Sequence, residues 1–185
     1  MTTTSPIIRA ANTGFSGLWL LQPRIAEDAR GCFVKTYHQP AFQELGIAFD
    51  PKEEFYSTSA RNVVRGMHFQ SPPAPHAKLV YCLTGRVLDV ALDMRKASST
   101  YGLSFARELS AANREMLFIP IGFAHGFLAL ADGTSMIYKT DAVHSPACDA
   151  GIAWDSFGFA WPVAKPVLSE RDRGFPKWAE FQSPF

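Results

Sequence analysis

Short apolar segments broken by turn residues about every ten positions constrain this chain more than any other feature. "EEFYSTSA", "NVVRGMHFQ", "KLVYCLTGRVLDVALDMR", "SFARELS", "EMLFIPIGFAHGFLAL" and "TSMIYKTDAVH" follow one another through the middle of the sequence. Their apolar runs are rich in residues that suit a pleated, half-buried surface. Many short strands with frequent turns fold as a sandwich or a barrel, and we expect an all-β jelly-roll barrel with a few short helices. Barrels of this kind carry ligands in the mouth or interior.

The doublet "KLVYCLTGRVLDVALDMR" reads as a hairpin closing at Thr84-Gly85. "GLWLLQPRIAEDARGCFVKTYH" reads as two strands around a polar turn from Ala26 to Gly31. Gln39 to Gly46 has the length and terminal glycine of a short helix, and "SERDRG" suits one helical turn. "SPPAPHA", Ser71 to Ala77, is a loop, because its three prolines remove backbone donors. With 185 residues and no repeat, linker or low-complexity tract, the expectation is one domain spanning 1–185.

Composition narrows the partners. Hydrophobic residues make up 47% and charged residues 19%, the balance of a soluble globular protein. A net charge of +1 without a basic stripe argues against nucleic acid. No apolar run approaches the ~18 residues of a membrane span, and no signal peptide is evident at the N-terminus. Cys32, Cys82 and Cys148 are odd in number and widely spaced, so neither a zinc pattern nor a disulfide framework is expected. A cytoplasmic, reduced protein follows. The 15 phenylalanines favour a strand-rich core or a large interface.

The chemical candidates each have a plain structural reading beside the functional one. Arg65 and His68 lie three apart in the strand-like "VRGMHFQ", so regular alternation would send them to opposite faces. Either His68 is an ordinary core histidine, or Gly66 lets the strand bulge so that both side chains meet one ligand. His125 sits between Gly122 and Gly126 in "PIGFAHGF", where glycines mark bulges or close approach, and is expected to line a cavity. Lys78 opens a buried strand and either stays at its wet edge or needs an anionic partner. Asp89 and Asp93 share one strand face, which is solvent or a polar cavity where they orient His or Lys. Tyr138 alone is compatible with the core, and Asp172 alone with a helix surface. "PIGFAH" is also similar to the second motif of metal cupins, but the first motif's compact His-x-His is replaced by His68 and His76, eight apart across prolines. A three-histidine site from His68, His76 and His125 remains an alternative.

Taken together and in order, "RGMHFQSPP", "AKLVYCLTGRVLDVALDMRKASSTYG", "IPIGFAHGFLAL", "YKTD", "GIAWD", "WP" and "LSERD" resemble the dTDP-4-dehydrorhamnose 3,5-epimerases of deoxysugar biosynthesis. The resemblance runs from about Arg30 to Asp172. It implies a cupin-type jelly roll, a homodimer with strands shared across the interface, and no metal or nucleotide cofactor. It implies a nucleotide-linked 4-keto-6-deoxyhexose as substrate, inverted at C3 and/or C5. His68 then matches the base, Asp172 its carboxylate partner, Lys78 the cation that stabilises the enolate oxygen, and Tyr138 the proton donor. Arg65, Arg30, His125, Gln70, Asp149 and Arg171 match substrate-binding positions. The imidazole's ordinary pKa near ~6.5 and the phenol's near ~10 suit a base and a reserve acid.

The departures from the family pattern cluster in substrate recognition. Lys35 stands where Glu is usual, Glu53 and Phe55 replace a Gln-x-Asn pair, Tyr81 replaces Arg, and His144 replaces a stacking Tyr. Either these are tolerated changes, or the nucleotide or sugar differs while the proton-transfer set is kept. Epimerisation at one carbon, a related ketoisomerase reaction and a metal-dependent cupin are the other readings.

Overall fold

Alternating burial along the middle strands, most regular in Thr134–Thr140, divides the chain into two facing sheets. The computed structural model describes residues 6–185. Its strands in chain order are β1 (Ile8–Asn12), β2 (Trp19–Pro23), β3 (Ile25–Asp28), β4 (Gly31–Val34), β5 (Glu53–Ser59), β6 (Val64–Gln70) and β7 (Lys78–Thr84). They continue with β8 (Arg86–Asp93), β9 (Ser104–Ser110), β10 (Met116–Ile119), β11 (Phe123–Ala129), β12 (Thr134–Thr140) and β13 (Asp149–Gly151). Two short helices accompany them, α1 (Gln39–Glu44) and α2 (Glu170–Arg173), with a 3-10 turn at Trp178–Glu180.

One sheet runs β1-β2-β10-β7-β12-β5 and the other β13-β6-β11-β8-β9. Every pairing within them is antiparallel. The inner faces meet over Val80, Leu117 and Met136 from the first sheet and Val87, Ala91 and Phe127 from the second, all at most 1% exposed. The result is the expected all-β jelly roll.

The outer faces are also covered, which explains why so many strand residues are apolar on both sides. Phe42 on α1 packs with Phe49 and Phe118 over the first sheet, ring centroids 5.4–6.4 Å apart. Full burial of Phe42 contributes roughly 1.5–3 kcal/mol. The C-terminal segment lays Phe157, Trp178, Phe181 and Phe185 over Met67, Phe69 and Leu92 of the second sheet. No helix among the described residues is long and apolar enough to cross a membrane.

Two local expectations are corrected. β7 and β8 do not pair with each other, so the turn at Thr84-Gly85 carries the chain from one sheet to the other. Gly85 has φ +74° there, and a Cβ would lie 2.4 Å from the Thr134 side chain, so a sharp corner has replaced a hairpin turn. Between Ala26 and Gly31 the turn is narrower than expected. Ala26–Asp28 belong to β3, which pairs with β4 as a separate two-stranded sheet. β3 is exposed along its whole length, so it carries no burial alternation that a pattern could reveal.

β6 contains the feature that builds the site. His68 lies opposite His125 on β11, and Arg65 lies opposite Phe127. Three residue steps on β6 therefore match two on β11, so β6 bulges by one residue at Gly66-Met67. The extra residue restores the parity, and Arg65 and His68 reach the same side. Gly66 has φ +132°, and a Cβ there would come within 2.5 Å of the Gly126 Cα. Glycine at both positions is what lets the strands approach through the bulge.

Candidate active site

The barrel mouth holds a cavity of about 330 Å³ between the two sheets. The five-stranded sheet supplies Arg65, His68 and Gln70 from β6, His125 from β11 and Asp149 from β13. The six-stranded sheet supplies Glu53, Phe55 and Ser57 from β5, Lys78 from β7, and Tyr138 and Thr140 from β12. His76 and His144 enter from loops and Arg171 from α2. Base and acid candidates, His68 and Tyr138, thus stand on opposite walls.

His68 Nε2 lies 2.8 Å from Asp172 Oδ1. A carboxylate only accepts, so Nε2 carries the hydrogen and Nδ1 is left as the basic nitrogen. Asp172 is held on every side: its Oδ2 accepts from the Gly66 N–H at 3.1 Å, and its own N–H donates to the cap residue Ser169 at 3.1 Å. The single turn of α2 therefore buries Asp172 to 3% exposure, where a helix-surface charge would be the plain reading. Burial pushes the Asp172 carboxyl upward, but the hydrogen bond and charge of His68, with Gly66 and Ser169, hold it below its usual range. Burial pushes His68 below the ordinary imidazole value, while Asp172 pulls it back up and Lys78 and Arg171 oppose that pull.

Lys78 turns its ammonium inward and donates to the His68 carbonyl at 3.2 Å. Burial lowers it to about 8, against the upward pull of Asp149 and Asp89. The Tyr138 hydroxyl lies 3.2 Å from Ser57 Oγ, and its ring stacks on Phe55 with centroids 4.8 Å apart. Burial raises the phenol well above its ordinary value, so it stays protonated.

The remaining positions differ in how free they are. Arg65 is tied to β5 through Ser59 Oγ and the Thr58 carbonyl, both at 3.1 Å. His125 Nε2 lies 2.9 Å from Asp89 Oδ2, so Asp89 orients a histidine as one of its two readings held. Asp93, on the same strand face, instead binds Arg95, Ser98 and Thr100. Gln70 lines the cavity but uses its amide to hold loops, bonding the Ala74 carbonyl and the Ser145 N–H. Asp149 pairs with Arg171, and Glu53 accepts from the His144 N–H. Tyr81 packs at the outer-face cluster with Leu79 and Phe118 and is not among the cavity residues.

Arg30 and Lys35 do not join this group. Both are exposed on the separate β3–β4 hairpin and its exit, and Arg30 pairs with Asp28. Ser57, Thr140 and His76 line the cavity without having been singled out as substrate contacts. For Ser57 the signal was present, since Glu53, Phe55 and Ser57 follow period 2 on one strand face. His76 has both ring nitrogens buried without a hydrogen-bond partner, and burial drives it down to about 3. Among the described residues no three His, Cys, Asp or Glu side chains are grouped to hold a metal ion. In particular, His68 and His125 each direct Nε2 at a carboxylate.

Comparison with known proteins follows the same lines. The family model described as dTDP-4-dehydrorhamnose 3,5-epimerase matches residues 12–180. The chain belongs to that family. A dTDP-4-dehydrorhamnose 3,5-epimerase of Methanothermobacter thermautotrophicus is 41% identical over 172 residues, 90% of this chain and 92% of the relative. The Shigella flexneri enzyme of the same name is 38% identical over 164 residues, 87% of this chain and 91% of the relative. The crystal structure of the Bacillus anthracis epimerase, solved with TDP and pyrophosphate bound, superposes with a TM-score of 0.90 at 36% identity. It covers 92% of this chain and 99% of its own. The Bacillus anthracis structure shares the fold seen here.

Proposed function

We propose that this protein is an epimerase of a nucleotide-linked 4-keto-6-deoxyhexose, with dTDP-4-dehydro-6-deoxyglucose as the preferred substrate and C3 and C5 as the inverted centres. One observation carries the proton chemistry: His68 and Tyr138 line a single cavity from opposite sheets. A sugar ring held between them offers one face to a base and the other to an acid. His68 Nδ1 removes the carbon-bound proton alpha to the ketone, and Asp172 stabilises the imidazolium that forms. The electron pair moves onto the ketone oxygen, where Lys78 supplies positive charge. Tyr138 returns a proton to carbon from the opposite face, and the stereocentre is inverted. Arg65 and the Asp149–Arg171 pair stand beside the cavity where the diphosphate enters, a task suited to guanidinium groups.

In this reading the protein acts in the cytoplasm as a homodimer and needs no metal or nucleotide cofactor. The β3–β4 hairpin, with Phe33 67% exposed, carries Arg30 and Lys35 toward the partner's cavity. The decisive test is conversion of dTDP-, CDP- and GDP-linked 4-keto-6-deoxyhexoses, followed by NMR of the products with and without a chelator. Chelator-insensitive inversion of the dTDP sugar supports the reading. A preference for another nucleotide would assign the changes at Glu53, Phe55 and His144 to altered recognition. Failure to invert any of them would overturn it.

A further inference from the structure

Tyr138 has to release a proton in surroundings that resist the charge it leaves behind. The side chain is almost fully buried, stacked on Phe55 at an interplanar angle of 13° and met at its edge by His125 at 6.2 Å. Burial and the nearby Asp89 disfavour the phenolate, while Ser57 and Arg65 favour it. Ser57 is the group in hydrogen-bond contact: its Oγ lies 3.2 Å from the Tyr138 oxygen, on β5 beside the same cavity. Either oxygen can donate in that pair. A phenol that gives its hydrogen to a sugar carbon must keep that hydrogen pointed at the sugar, so Ser57 is then the donor.

We propose that Ser57 is a positioning residue for Tyr138, aiming its hydroxyl hydrogen into the cavity and stabilising the phenolate formed as the proton leaves. The inference rests on the epimerase reading above. In the step itself the Tyr138 O–H bond breaks and a C–H bond forms at the enolate carbon. The enolate electron pair becomes the new C–H bond, the ketone is restored, and the phenolate retains the O–H pair. Its hydrogen bond from Ser57 strengthens, because the acceptor is now an anion. Solvent returns a proton to the phenolate and accepts one from the His68 imidazolium, so the cycle consumes nothing.

Two rates measured on one sample separate this role from a packing role. Incubation of the nucleotide 4-ketosugar in D2O reports deuterium entry with retention, through His68 alone, and deuterium entry with inversion, through Tyr138. Ser57→Ala is expected to slow inversion roughly 10- to 100-fold, the value of a hydrogen bond to an ionised group. Exchange with retention stays within about threefold of wild type, and so does KM. Ser57→Thr, which keeps the hydroxyl, restores most of the lost inversion. An equal fall in both rates, no fall in either, or a threonine variant as slow as the alanine one would overturn the proposal. If the wild-type protein neither exchanges nor inverts any nucleotide 4-ketosugar, the epimerase reading fails first and the role of Ser57 falls with it.

Discussion

Two histidine–aspartate pairs sit side by side in this barrel, and only one has the surroundings of a base. His68 and His125 face each other across β6 and β11, and each places Nε2 2.8–2.9 Å from a carboxylate oxygen. The His68 side chain is 26% exposed, and its carboxylate is satisfied at both oxygens by His68 and the Gly66 N–H. The His125 side chain is 4% exposed, and Asp89 Oδ1 is buried without a partner. The pair geometry is therefore the same while access differs. A hydrogen-bonded carboxylate fixes a tautomer in both places, but only an imidazole with an open nitrogen can exchange protons with a ligand. The bulge at Gly66 and the single turn that caps on Ser169 are what open the one pair and anchor it.

Replacing the histidines in turn breaks the comparison most severely. His68→Asn is expected to lower kcat by at least about 1000-fold, since the base itself is lost, with the fold retained by circular dichroism. His125→Asn is expected to lower kcat by less than about tenfold and to cost roughly 1–3 kcal/mol of stability, because it leaves the buried Asp89 without its partner. Equal kinetic losses in the two variants would remove the distinction between the pairs.

The carboxylates come next. Asp172→Asn should reduce kcat/KM roughly 10- to 100-fold, the usual scale for a group that orients another. It should also move the acid limb of the pH profile to lower pH, because Asp172 favours the imidazolium form of His68. Asp89→Asn should leave the acid limb in place, since Asp89 does not act on His68, and should move the alkaline limb to lower pH, since it holds Lys78 up.

The profile itself is the third test. In the proposed mechanism His68 acts as the neutral base, and burial sets it below 6.5, so kcat/KM is expected to rise on the acid side and to be level near neutrality. In the same mechanism Lys78 acts as the cation, so activity is expected to fall as pH climbs through about 8. Initial rates across this range check both limbs. An acid limb above 6.5 would contradict the assignment of His68.

His76 supplies the last test, read on stability. Its imidazole titrates near 6.5 when unfolded and at about 3 when folded, so the unfolded chain binds more protons in between. Its contribution is whole above pH 6.5 and is lost as pH falls toward 3. His76→Phe should reduce the pH slope of unfolding free energy there by up to ~1.4 kcal/mol per pH unit, measured by urea denaturation.

Much of this was legible in the chain, for identifiable reasons. Short runs rich in β-branched and aromatic residues between turn residues marked β5, β6 and β12 as strands, and the proline loop and the short helices fell where their residues demanded. The β7–β8 corner was not legible, since a Gly turn between two apolar runs looks the same whether it closes a hairpin or changes sheets. The burial of Asp172 was likewise hidden, because a one-turn helix has no pattern of its own and the partner lies 104 residues away. The resemblance supplied that pairing, and the geometry then placed it. Ser57 was within reach of strand alternation but lacked any distinctive residue type, and β3 was too uniformly polar in setting to read as a strand.

Deuterium entry into dTDP-4-dehydro-6-deoxyglucose, followed by NMR at C3 and C5 in D2O, tests the central claim most directly. The account predicts exchange with the wild-type protein and with His125→Asn, and none above background with His68→Asn. Exchange that survives in His68→Asn would show that the proton is taken elsewhere and would contradict it.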